Sequence, residues 1–444
     1  MDSTEPAEPE INFDSFLKFP LFMCRVLLLD FEPSNSSSTI VKKLLYHFRT
    51  NFFKICLLSL IVGVAMMIAY LFLIATSFAK LSEVTLNIAT IVLVFVKGMS
   101  TYANRNKIWI LFQDLRRLFS GRTDKNSAYN VKAYLKSYHR FIQIYSGSFI
   151  IVSPVMVLPL VLYYINGTMT FKVDYWYPFD PYQPSTFLCA SLWIIWIAFL
   201  NLMFLLGPES LLYVLISVLV MEFDFLKLDF MKLKNTTKIK MRSECEKLVD
   251  RHNKLFELCD KLQDIYKFAF FASFMITSVI MCFIAFQLTI ASEYDAYTLY
   301  IPFITIIGGQ IFLLCLFGQN LIDSSLAISD GAFEMGWEYI EDEKIKQDLT
   351  LVIVRANRAK SLSAMKFAEL SLPSFTLVSF KVRREDMKFF FKFQILLSLD
   401  FNNDRFLLLI DEKCLLFELK EKKHFRCCHL IVSVISPILE NVVI

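Results

Sequence analysis

Residues able to do covalent chemistry are few and scattered in this sequence. His47, His139 and His252 lie far apart, while His424 and His429 flank Cys427 and Cys428. That last group has a loosely zinc-like composition, but its first spacing does not fit a ligand set. There is no G-x-S-x-G elbow, P-loop, H-E-x-x-H helix or dinucleotide fingerprint, so no enzyme, cofactor or metal is expected. The residues that could bind something are aromatic. Trp193 and Trp196 are three apart and share a helical face. Tyr163 and Tyr164 close one apolar stretch, Tyr297 and Tyr300 open another, and Met156 and Phe303 lie deeper. A small hydrophobic ligand needs a dry, mostly apolar cavity with a few polar handles. Met156, Tyr163, Trp193, Trp196, Tyr300 and Phe303 are therefore the candidate lining. The competing reading is an interfacial aromatic belt, where Trp and Tyr sit at headgroup level. It is the better one for tyrosines nearest the stretch ends. Pro154, Pro159 and Pro302 fall at a depth where a kink would open space between helices.

The elements that must position these residues follow from composition. Of 444 residues, 56% are apolar and 20% charged, and the mean hydropathy is +0.50. A soluble domain is about 45–50% apolar and about 25% charged. The excess apolar surface needs a bilayer as solvent. Disordered, collagenous and disulfide-scaffold chains are excluded, and a net charge of +4 gives no reason to expect nucleic acid. A spanning helix needs about 20 mostly apolar residues. Charge-free runs at 55–79, 141–171, 181–208, 268–292 and 296–322 meet that need. A sixth, about 81–101, is flanked by Glu83 and Lys97, which could snorkel to the interface. Glu209, beside Pro208, is the one inner charge of the fourth run, and that span is expected to end or bend there. The fold class is all-α: a multi-pass membrane helical bundle with six clear spans and an aberrant seventh.

Orientation follows from the basic residues. Alternate inter-span segments carry 33 Lys and Arg in one set and 2 in the other. The rich set includes the N-terminus, which is therefore expected inside. Asn166 opens an Asn-Gly-Thr sequon on the outer side, and Asn235 opens a silent one inside. Residues 244–267 place Leu248, Leu255, Leu258, Cys259, Leu262, Ile265 and Tyr266 at three- and four-residue steps with charges between them. No Pro or Gly separates this stripe from the next span, so one helix of about 70 Å is expected to run from Glu244 to Ile290. The stripe either packs on its own chain or forms a subunit contact.

Several runs resemble the insect odorant receptors, a seven-span family of inverted topology. They are Trp176-Tyr177-Pro178-Phe179-Asp180, Lys247 through Asn253, Trp337-Glu338-Tyr339, Met365-Lys366-Phe367 and Leu370-Ser371-Leu372-Pro373-Ser374-Phe375. Their order and spacing cover residues 20–378. The resemblance implies a subunit of an odorant-gated, non-selective cation channel, assembled with a shared co-receptor as a hetero-tetramer in the plasma membrane of a sensory dendrite. It implies a volatile hydrophobic ligand held between spans two, three, four and six, and membrane lipids as surroundings. Segment 222–267 lacks the long co-receptor insertion, which implies a tuning subunit.

The C-terminal end departs from that pattern. Span seven should begin near Leu370, yet six charges fall within 381–388. Each costs roughly 2.5–3.5 kcal/mol at mid-membrane, so no ordinary helix crosses there. Three regions are expected: a cytoplasmic segment 1–54, a membrane bundle 55–370 and an aberrant tail 371–444. Val378-Ser379 can be encoded by a splice-donor hexamer, so the tail reads as translated intron replacing span seven. The alternatives are a gustatory receptor of the same superfamily and a non-conducting truncated isoform. A transporter is disfavoured because no internal repeat is visible.

Overall fold

The computed structural model describes residues 12–376, except 28, 30, 32–39, 75–76, 121–130, 168–170, 172, 236–237 and 291–293. In further stretches, including 40–46, 150–163 and 294–299, it describes the backbone alone. The tail from 377, and the side chains of Met156, Tyr163 and Tyr297, lie outside the described residues.

Long apolar runs without Gly or Pro clusters give long helices. In order these are α1 Phe13–Val26, α2 Ile40–Leu73, α3 Phe78–Ala103, α4 Arg105–Ser120, α5 Val131–Asn166, α6 Pro184–Lys232, α7 Lys238–Ile290, α8 Tyr294–Glu334 and α9 Glu343–Ala356. A two-residue hairpin follows, with β1 Ser363–Ala364 antiparallel to β2 Ala368–Glu369. Five helices are long and apolar enough to cross a membrane, in α2, α3, α6, α7 and α8. Helix α5 carries the charge-free run that begins at Phe141. The molecule is a helical membrane bundle. Its principal contacts are α6 on α8, α3 on α7 and α1 on α6.

The bundle has two unlike ends. At the loop end, residues 173–183 fold over the helix tips. Trp176 N–H donates to Met66 O at 3.2 Å, and Lys80 pairs with Asp174 at 2.7 Å. Phe171 stacks on Phe187 at 4.7 Å, and Tyr177 lies against Phe179 at 5.4 Å. Asp180 starts the next helix by accepting from Tyr182 N–H at 3.0 Å, while its carbonyl accepts from Thr186 at 2.6 Å. Asn166 is exposed at this end, where Gly167 turns the chain with φ of 71°.

At the stalk end, α6 and α7 continue far beyond a bilayer's thickness. Their 49 and 53 residues span about 73 and 79 Å. The expected α7 stripe buries Leu255, Leu258, Cys259, Leu262, Ile265 and Tyr266. It packs on α4, α9 and β1 of its own chain. Helix α4 answers with Ile108, Leu111, Phe112, Leu115 and Phe119, all buried on one helical face. Arg251 bridges α7 to α6, donating to Glu222 at 2.6 Å and to Asp229 at 3.1 Å.

Two expectations are corrected. Helix α6 does not end at Pro208 but continues as one helix to Lys232. Pro208 removes only one ladder donor, the one that would bond Phe204 O, and the helix continues through it. Lys97 does not snorkel; it is 8% exposed and points into the bundle. Within residues 1–54, α1 docks Phe13, Phe16 and Leu17 into the main core.

A buried charge network and the candidate ligand site

Lys97 on α3 and Glu209 on α6 are each the lone charge in a long apolar stretch. The fold brings them together. Gly98 lets the two helices close: a Cβ there would stand 2.2 Å from the Phe204 ring. The Lys97 ammonium donates to Glu209 Oε1. Tyr145 of α5 donates its hydroxyl to Glu209 Oε2, and Gln310 of α8 donates to the same oxygen at 3.5 Å. Both charged side chains are 9% exposed. One carboxylate thus joins four helices, α3, α5, α6 and α8.

Burial of a lone charge in hydrocarbon is prohibitive, and a pair persists only when its remaining lone pairs are also satisfied. Tyr145 and Gln310 meet that demand. An aromatic wall keeps lipid and water away: Tyr213 stacks on Phe317 at 4.8 Å and meets Tyr145 edge-on at 5.5 Å. Beside the pair is a cavity of about 30 Å³ between α3, α6, α7 and α8. Tyr266 OH and Gln310 Oε1, which have no hydrogen-bond partner, belong to residues lining it. That volume suits one or two waters, not a ligand, whose pocket is about 300–1,000 Å³. The network is a structural clamp with no reactive nucleophile or acid–base pair near a substrate-sized space.

None of the four expected ligand-lining residues whose side chains are described, Trp193, Trp196, Tyr300 and Phe303, borders this cavity. Trp193 and Trp196 are half-buried on the loop-end part of α6, against the main core. Trp196 stacks on Phe199 at 6.0 Å. Tyr300 is buried in a separate cluster with Leu86, Leu93, Ile280, Ile284 and Ile307, and Phe303 packs on it. The α6 pair and the α8 pair thus pack on different apolar clusters. The Trp193 Nε1 is buried without a partner, and so, on another face of α6, is the Ser191 Oγ, a polar group the sequence reading missed. A serine two residues before a tryptophan in an apolar run was its only signal.

The chain matches the 7tm Odorant receptor family over residues 77–380. It belongs to the odorant receptor family. The match stops one residue before Lys381, where the charged run begins. Putative odorant receptor 92a of Drosophila melanogaster is 24% identical over 385 residues, covering 83% of this chain and 92% of that protein. The odorant receptor coreceptor of Ooceraea biroi is 30% identical, but over 139 residues, 31% of this chain and 29% of the relative. The solved olfactory receptor OR5 of Machilis hrabei, in complex with eugenol, shares the fold with a TM-score of 0.72 at 17% identity. That alignment covers 87% of this chain and 98% of OR5. This odorant receptor is thus a receptor of the specific rather than the co-receptor kind, and not an enzyme.

Proposed function

We propose that this receptor is a tuning subunit of a non-selective cation channel opened by small volatile hydrophobic molecules together with a co-receptor. The supporting observation is an apolar, aromatic loop-end half of α6, in which Trp193 and Trp196 share a face. The Trp193 indole N–H is buried there without a partner and offers one donor in surroundings that are otherwise apolar. Partial compensation of such groups is what a ligand bearing a hydroxyl or ether supplies. The odorant would lie between α3, α5, α6 and α8, against Trp193, Trp196, Tyr300 and Phe303, with Met156 and Tyr163 contributed by α5. OR5 is described in complex with eugenol, a compound of that polarity class.

The stalk end faces the cytoplasm in this reading, supported by the 33-to-2 division of basic residues. The receptor then sits in the plasma membrane as a hetero-tetramer with its co-receptor. Co-expression of a version carrying an apolar seventh span with a co-receptor should give odour-evoked cation current. Surface delivery without current across a broad panel would overturn the reading. Trp196→Ala should shift the tuning curve without loss of assembly, and an unchanged curve would remove Trp196 from the pocket.

A second reading is favoured by one observation, the six charges at 381–388. With residues 371–444 as they stand, the chain lacks an ordinary pore helix and acts as a non-conducting subunit. Sequencing the mature transcript across the Val378 and Ser379 codons decides between them. Continuation into an apolar stretch supports a conducting receptor, and an abundant message encoding the charged tail supports the regulatory form.

A further inference from the structure

In the first three turns of α5, Lys132, Lys136 and Arg140 recur at four-residue steps, and the whole of α5 contains no Asp or Glu. Several cations of α7 are matched by acids: Lys247 with Glu244, Lys254 with Glu257 and Lys261 with Asp114. Lys136 and Arg140 have no acidic partner among the described residues, and both are exposed. They line an open groove of about 380 Å³ with Lys132, Leu135, His139 and Gln143.

We propose that this groove binds the phosphorylated headgroup of an anionic membrane lipid. Depth argues for a lipid. The charge-free run of α5 begins at Phe141, so Arg140 and Lys136 lie about 1.5 and 7.5 Å beyond it at 1.5 Å per residue. The headgroup layer is about 5–7 Å thick on each side of the hydrocarbon core. Arg140 therefore sits where lipid phosphates sit, and Lys136, just beyond that layer, reaches back to it along its own side chain. Their stems and Leu135 give the glycerol backbone an apolar edge. Arg140 can grip a phosphate through two parallel N–H donors, and Lys136, one turn away, adds a point charge. Burial holds the His139 imidazole below its ordinary value, Lys18 pushes the same way, and a hydrogen bond with the Ser15 backbone only partly opposes them. The inner leaflet carries the anionic lipids, so the proposal rests on the cytoplasmic assignment of the stalk end.

The test is a titration of detergent-purified full-length receptor with fluorescent phosphatidylinositol bisphosphate. Saturable binding, displaced by the unlabelled lipid and not by phosphatidylcholine, is expected. Lys136→Ala with Arg140→Ala should weaken it about 30-fold, at roughly tenfold or less per lost cation near a charged surface. Arg242→Ala with Lys247→Ala, on α7, should leave it unchanged, and Lys136→Arg should keep it. Equal binding by the Lys136/Arg140 double variant, or equal competition by phosphatidylcholine, overturns the site. Displacement by inositol trisphosphate as readily as by the lipid overturns the lipid as source. Sidedness is read separately, from Ser137→Cys in a background with Cys189, Cys414, Cys427 and Cys428 changed to Ser, labelled with an impermeant maleimide. Labelling only after permeabilisation supports the inner leaflet. Labelling of intact cells overturns the cytoplasmic assignment and leaves the in vitro binding result to stand alone.

Discussion

A single carboxylate decides how four helices meet. Removing one partner of a buried ion pair leaves an unpaired charge and costs about 3–5 kcal/mol, whereas replacing both with apolar groups is often neutral. Lys97→Met should therefore lower the thermal midpoint of the purified receptor sharply, and Glu209→Leu likewise. The double variant should recover most of the loss. Equal, additive losses in a double-mutant cycle would show that the two side chains do not interact. Tyr145→Phe removes only one donor to Glu209. It should cost about 1.5–3 kcal/mol, the range for hydrogen bonds to charged groups. The pair was half legible in the sequence. Each residue stands out as the lone charge of its run, but which charges share a depth depends on helix tilt, and pattern carries no tilt. Lys97 read as a snorkelling end residue because Gly98 gave no sign that Phe204 would press against it.

Among the elements, the hairpin after α9 is held unusually tightly for its size. Gln263 of α7 donates to Ser363 O at 2.6 Å and accepts from Ser363 N–H at 2.8 Å. On the other side, Leu370 O lies where a Cβ on Gly318 of α8 would be, 2.2 Å away. The chain passes between α7 and α8 here, with Met365 and Lys366 in the left-handed region at φ of 51° and 64°. Gly318→Ala forces Leu370 off α8 and should cost about 1–3 kcal/mol, the usual price of overpacking. An unchanged thermal midpoint would show that the contact yields freely. Helix positions were legible because charge-free length and the three-and-four rhythm of Leu255 to Tyr266 report them directly. The hairpin was not, because Ser363 and Gln263 are ordinary residues a hundred positions apart. Helix α1 was missed for a related reason: its apolar face is short, and only the presence of α4 and α6 makes burying Phe13 and Phe16 worthwhile.

For the molecule as a whole, sidedness is the expectation with the widest consequences. Asn166 is exposed at the loop end, so in a secretory-pathway host it should be glycosylated. Asn166→Gln should remove an endoglycosidase-sensitive band shift, while Asn235→Gln should change nothing. A shift that depends on Asn235 would invert the whole assignment. The unbroken course of α6 has a mechanical meaning as well. From Glu209 to Lys232 the helix extends about 35 Å at 1.5 Å per residue, and in the other direction it reaches past Trp196 to the loop end. Such a rod, pinned near its middle by the Lys97–Glu209 clamp, is a seesaw. A tilt of about 4° displaces its stalk tip by roughly 2.4 Å, in the sense opposite to its loop end. Were α6 to tilt as one body, whatever leans on Trp193 and Trp196 would be felt at a distance by the acids that hold Arg251.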